Sequence, residues 1–211
     1  MSEFEPPPQS PQARSPMAAN PARSEFQNAV AIRAENLARL GEDAICGLID
    51  LTSQRLVRFA TTITRNQHDA EDAVQTTLIQ VARQPKLLAG CDDPWAYLLR
   101  MVRNESLLIG RRKPRWRLID GLCDLLTHRR VDEIELEERY REVWLALRKL
   151  PMQQSEVVVL KIWEDMTFAD IANVLEITPS TAASRYRYAK QKLAQLLASH
   201  ETESSGVGHH E

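Results

Sequence analysis

Residues 167–193 read TFADIANVLEITPSTAASRYRYAKQKL. Thr167 and Asp170 stand three apart, the spacing of a capping box. Ile171, Ala172 and Leu175 then make one apolar face of a short helix. Ile177 follows in the turn, Thr178 is a second cap, and Pro179 suits the first position of the next helix. In that helix Ala182, Tyr186, Ala189 and Leu193 form an inner stripe at helical spacing. Residues 177–193 carry four cations and no acid. Two short helices, the second capped and basic, are the helix-turn-helix pattern. The stripe leaves Ser180, Thr181, Ala183, Ser184, Arg185, Arg187 and Tyr188 outward. Small residues at the helix start permit close entry into a major groove. Arg185 can pair with a guanine in two hydrogen bonds, Thr181 and Ser184 can reach bases or phosphates, and Lys190 and Lys192 can neutralise phosphates.

Working upstream, Glu133 to Leu150 reads as a helix, and Pro151 opens another through Trp163. Residues 25–113 are helical in pattern too. Ile45, Leu48, Ile49, Leu56, Phe59 and Ile63 share a face of one long helix. A second begins near Asp69, with Asp69, Glu71 and Asp72 in a first turn that favours acids. Its inner positions are Ala70, Ala73, Val74, Val81 and Ala82, and Pro85 ends it. A loop over 85–93 follows. Asp93 and Pro94 then start a third helix, with Trp95, Leu98, Val102 and Ile109 inward. No segment alternates with a strand's period, so the expected fold is all-α.

The expected organisation is a Pro-rich disordered tail (1–24), a helical domain (25–113), a linker (114–132), a helix-turn-helix domain (133–197) and a loose tail (198–211). The linker is expected to let the two units move. In the alternative, Trp116, Leu118, Leu122 and Leu125 dock it between them, giving a compact form with its DNA surfaces partly hidden.

The chain has 211 residues, 43% of them hydrophobic, with a net charge of −2. That sum hides a segregation. Arg100, Arg103, Arg111, Arg112, Lys113, Arg115 and Arg117 face one acid, Glu105, across residues 100–117; residues 132–142 are acidic. Cys46, Cys91 and Cys123 are far apart, which fits a reducing cytosol better than a disulfide scaffold. The N-terminus lacks the apolar core of a secretory signal. His68, His128, His200, His209 and His210 sit in no metal or triad spacing, and no glycine-rich phosphate loop occurs. The expectation is a non-enzymatic protein of the cytoplasm, with no cofactor and no metal.

LPMQQSEVVVLKIWEDMTFADIANVLEITPSTAASRYRYAKQKL (150–193) resembles region four of bacterial sigma factors. RFATTITRNQHDAEDAVQTTLIQVAR (58–83) and WAYLLRMVRNESLLIGRRK (95–113) resemble region two, with DAEDAVQ (69–75) the most specific piece. Their order, with no other sigma region, resembles the small extracytoplasmic-function (ECF) group of the sigma-70 family. The resemblance implies a factor that binds core RNA polymerase and directs it to promoter DNA. It implies a polymerase-binding face of Asp69, Glu71, Asp72, Val74, Gln75 and Leu78. It implies a −10 surface of Arg100, Arg103, Asn104, Arg111, Arg112 and Lys113, beside a loop over 85–93 that holds a flipped base. Trp95 has the inward spacing of a core residue, with base stacking as its other reading. The −35 surface comprises Ser180, Thr181, Ala183, Ser184, Arg185, Arg187, Tyr188 and Lys190. Many relatives are held by an anti-sigma factor, which makes such a partner an open expectation. Two other functions fit parts of the pattern: a sigma-like decoy that captures an anti-sigma factor, and a helix-turn-helix regulator, which leaves DAEDAVQ unexplained.

Overall fold

The computed structural model describes residues 24–112 and 138–205, and among these every regular element is helical. The helices are α1 (Glu25–Leu40), α2 (Ile45–Thr64), α3 (Gln67–Arg83), α4 (Lys86–Ala89), α5 (Pro94–Arg112), α6 (Glu138–Arg148), α7 (Met152–Ile162), α8 (Phe168–Leu175) and α9 (Pro179–Ser205). A 3-10 turn, Gly41–Ala44, joins α1 to α2. The expected Pro-rich tail, linker and last residues lie outside the described residues, save that α9 reaches Ser205. The sequence meets no helix breaker before Gly206, so the helix runs past 197.

Local chemistry sets the helix ends. Ser24 and Gln27 cap α1 reciprocally, at 3.2 and 3.0 Å. The Asn66 side chain accepts from the Asp69 amide, which starts α3 at Gln67, two residues before Asp69. Asp93 Oδ1 accepts from the Trp95 and Ala96 amides at 3.0 and 3.1 Å, as the Asp-Pro pair predicts. The 85–93 stretch is not all loop: α4 forms inside it and buries Leu88.

In the first unit α2, α3 and α5 pack together, with α1 laid over α4 and α5. Leu48, Leu56, Phe59 and Ile63 of α2 meet Ala70, Val74, Leu78 and Val81 of α3 in the core. Trp95 is fully buried. Phe26 meets it edge to face at 4.9 Å. The core reading of Trp95 holds, and base stacking would require its removal from that core. In the second unit Trp144 and Trp163 approach at 5.3 Å, and Phe168 meets Tyr186 at 5.7 Å.

The two units do not stand apart. α2 packs on α7 and α5 packs on α8, and the buried apolar residues form one cluster from Val30 to Ala189. In this structure the units are in contact, and their relative motion is a matter for solution scattering. This is the compact arrangement, although Trp116, Leu118, Leu122 and Leu125, the residues expected to dock it, lie outside the described residues.

Candidate nucleic-acid and polymerase interfaces

The helix-turn-helix is built as its sequence predicts. Thr167 and Asp170 form the capping box of α8, with the Asp170 amide donating to Thr167 Oγ1 at 3.2 Å and the Thr167 amide to Asp170 Oδ2 at 3.1 Å. Glu176 closes α8 in the left-handed conformation, φ 56°. Ile177 packs on the core in the turn. The Thr181 amide donates to Thr178 Oγ1 at 3.1 Å, which caps α9 at Pro179. Ile171, Ala172, Leu175, Ala182 and Ala189 are buried, and Tyr186 and Leu193 pack against them.

The outward face is less uniform than the pattern suggests. Ser180, Arg187, Tyr188 and Lys190 are exposed. Thr181, Ala183, Ser184 and Arg185 are half-buried. The hydroxyls of Thr181 and Ser184 are engaged locally: Thr181 Oγ1 shares a hydrogen bond with Thr178 Oγ1, and Ser184 Oγ donates to the Thr181 carbonyl.

On α3, Glu71, Asp72 and Gln75 are exposed and Asp69 is half-buried. Val74 and Leu78 are 3% and 8% exposed and belong to the core, so they are not part of the surface they were assigned to. The helical period explains this: positions 70, 74, 78 and 81 all turn toward α2. The exposed apolar residue beside the acids is Ile79.

On α5, Asn104 and Arg111 are exposed, Arg112 ends the helix, and Lys113 lies outside the described residues. Arg100 and Arg103 point elsewhere. Arg100 Nη2 donates to the Asn173 carbonyl of α8 at 2.8 Å. Arg103 Nε donates to Glu156 Oε1 of α7 at 2.7 Å. The Glu156 side chain is fully buried, and its Oε2 has no hydrogen-bond partner. Burial pushes the Glu156 carboxyl above its ordinary range, against the opposing pull of Arg103, Arg185 and Arg65. One buried acid thus lies among Arg103 and Arg185, the two arginines assigned to opposite ends of the DNA surface.

Further cations of α2 complete this seam. Arg55 Nη1 and Arg58 Nη2 each reach Glu164, at 3.1 and 3.0 Å, and the Glu164 side chain is fully buried. Arg65, left-handed at the end of α2, donates to the carbonyls of Arg148 and Leu150 at 2.9 and 2.8 Å. None of Arg55, Arg58, Arg65, Glu156 and Glu164 was singled out from sequence. Glu156 carried one usable signal, an acid opening the apolar run EVVVL.

No group of three or more potential metal-ligating side chains occurs among the described residues. No described helix is long and apolar enough to cross a membrane. Cys46 is exposed and Cys91 half-buried, both as free thiols.

Comparison with known proteins bears on both units. The model of sigma-70 region 2 matches residues 48–115, and that of sigma-70 region 4 matches residues 140–193. The chain is 29% identical over 165 residues to the ECF RNA polymerase sigma factor SigE of Mycolicibacterium smegmatis, covering 75% of this chain and 63% of the relative. It thus spans a little under two thirds of that relative's length. It is 27% identical over 153 residues to the ECF sigma factor SigL of Mycobacterium tuberculosis, covering 71% of this chain and 86% of SigL. Two solved structures share the fold. CnrH in complex with the cytosolic domain of CnrY has a TM-score of 0.57 at 23% identity, covering 81% of this chain and 98% of that one. RpoE in complex with the anti-sigma factor NepR, from Bartonella quintana, has a TM-score of 0.54 at 24% identity, covering 71% and 94%. With region-two and region-four helices in that order, and relatives of one kind matching across both, the chain belongs to the ECF group of the sigma-70 family.

Proposed function

We propose that the protein is a promoter-specificity factor of the cytoplasm that binds core RNA polymerase and starts transcription from −10 and −35 elements, without catalytic activity of its own. The observation that carries this reading is the capped helix-turn-helix, whose α9 starts in small residues, Ser180 exposed and Thr181, Ala183 and Ser184 half-buried, and bears Arg187 and Lys190 on its open side. A helix so arranged fits the major groove end-on, with cations placed for phosphates. In this reading Ser180, Thr181, Ala183, Ser184, Arg185, Arg187, Tyr188 and Lys190 meet the −35 element. Arg100, Arg103, Asn104, Arg111, Arg112 and Lys113 meet the −10 region. Asp69, Glu71, Asp72 and Gln75 form the polymerase face, with Ile79 as its apolar contact in place of Val74 and Leu78.

An anti-sigma factor is a fitting second partner, since RpoE is bound to the anti-sigma factor NepR, and CnrH is likewise bound to a protein, the cytosolic domain of CnrY. Run-off transcription with purified core polymerase tests the main reading. Transcript that depends on this protein is the expected result. Capture of an anti-sigma factor without any transcript would favour the decoy. Promoter binding that needs no polymerase would favour a plain helix-turn-helix regulator.

A further inference from the structure

α1 stands upstream of the region 2 match, which begins at residue 48, yet it packs on the 85–93 stretch expected to hold a flipped base. That stretch contains α4, a helix of four residues. A single turn repays little of its own nucleation cost, so its place is set by what it rests on. Within it, the Leu87 amide donates to the Gln84 carbonyl at 2.9 Å and the Cys91 amide to the Leu88 carbonyl at 3.1 Å. Outside it, α4 packs more extensively on α1 than on α5. Leu88 is fully buried, in one apolar cluster with Val30, Ala34 and Leu37 of α1. The far end of the stretch is tied to α1 as well. Asp93 caps α5 through the amides of Trp95 and Ala96, and Phe26 of α1 meets the Trp95 ring edge to face at 4.9 Å. The Arg55 guanidinium lies over the Phe26 ring, 3.8 Å from its centroid, and the capping box of Ser24 and Gln27 fixes the backbone on either side of it.

We propose that α1 sets base preference within the −10 element: by holding α4 and Trp95 it fixes the shape of the loop that receives the flipped base, with Phe26 as the positioning residue. This deepens the proposed function and rests on it. A base taken out of the stack is read by a pocket, and the contacts that tell one base from another are short and directional. A loop free to shift loses that discrimination before binding is lost, because phosphate contacts elsewhere hold DNA without regard to sequence. Phe26 acts through Trp95 and the loop. An edge-to-face pair fixes the orientation of both rings, which an aliphatic neighbour does not.

Phe26→Ala removes the ring and leaves every proposed DNA and polymerase residue in place. Parent and variant, each bound to core RNA polymerase, transcribe run-off templates in which −10 and −35 positions are varied one at a time around a promoter selected with the parent. The expected result is a preference flattened about fivefold or more at one −10 position, within the range that a single mismatched base is worth, while the −35 preferences match the parent. Preferences in the −10 element that stay at the parent's values overturn the positioning role. So does a loss of transcript shared evenly by every template, which is what a merely destabilised protein gives. Should the alanine variant lose helical content, Phe26→Leu, which stays apolar and lacks the aromatic edge, is read by the same ratios. A parent protein that yields no transcript from any template would sink the proposed function itself, and this inference with it.

Discussion

At the scale of single residues, Arg185 and Lys190 separate two kinds of DNA contact. If Arg185 pairs with a guanine, Arg185→Ala weakens promoter binding by about 1–3 kcal/mol and relaxes preference at one base pair. Lys190 is exposed near the middle of α9. Lys190→Ala is expected to weaken binding about equally on every sequence and to lower the salt slope by about one. Polymerase-bound affinities on single-base promoter variants at two salt concentrations check both; uniform loss from Arg185→Ala would make it a phosphate contact. Glu156 makes a different prediction. Burial raises its pKa from the ordinary 4.5 despite the nearby arginines. Between 4.5 and that raised value the folded chain holds a proton the unfolded chain has released. Its contribution to stability is thus greatest below the unfolded pKa and is lost as pH rises through the folded one. Urea unfolding of Glu156→Gln, which cannot titrate, is expected to gain on the parent protein as pH rises across that window. Parallel curves would mean that Glu156 is solvated in the folded protein.

At the scale of helices, the caps and the inner stripe carry the stability of the helix-turn-helix. Thr167→Ala removes the oxygen that accepts the Asp170 amide and is expected to cost about 1 kcal/mol in denaturant unfolding. Ala182 is fully buried where α9 packs on its neighbours. Ala182→Asp places an unpaired charge there and is expected to unfold the unit, seen as lost helical circular dichroism. On α3 the exposed face is Glu71, Asp72 and Gln75, with Val74 and Leu78 turned inward. Asp72→Ala/Gln75→Ala should therefore weaken capture of core polymerase while leaving the thermal midpoint nearly unchanged. Undiminished capture would remove this face from the polymerase contact.

At the scale of the whole molecule, the units are joined by apolar packing and by arginines reaching across. Arg65 shows how this arises from a helix end. α2 stops with Arg65 in the left-handed region, and from there its guanidinium satisfies carbonyls at the end of α6. The last carbonyls of a helix are the ones that its own amides do not reach. Arg65→Ala is expected to speed hydrogen exchange across 147–155 about tenfold, equivalent to about 1.4 kcal/mol of local opening. No change there would mean that water caps α6 as well as Arg65 does.

What the sequence by itself determined was everything that depends on neighbours a few positions away. The Thr167/Asp170 box, the Asp93-Pro94 start and the Thr178-Pro179 cap are local signals, and each is satisfied by backbone groups two or three residues on. The stripe of Ala182, Tyr186, Ala189 and Leu193 follows from helical period alone. Val74 and Leu78, which the resemblance places on the polymerase face, share the helical face of Ala70 and Val81, a local signal that the resemblance overrode. Only the tertiary structure decided where Arg100, Arg103 and Arg185 lie, with Arg100 on the Asn173 carbonyl and Arg103 on the Glu156 carboxylate. Arg103 and Glu156 are 53 residues apart in the chain, and Arg55 and Glu164 are 109 apart. Long arginine side chains look alike in sequence whether they face solvent, phosphate or a buried carboxylate. The choice depends on desolvation and on partners brought close by docking, and no local pattern records either.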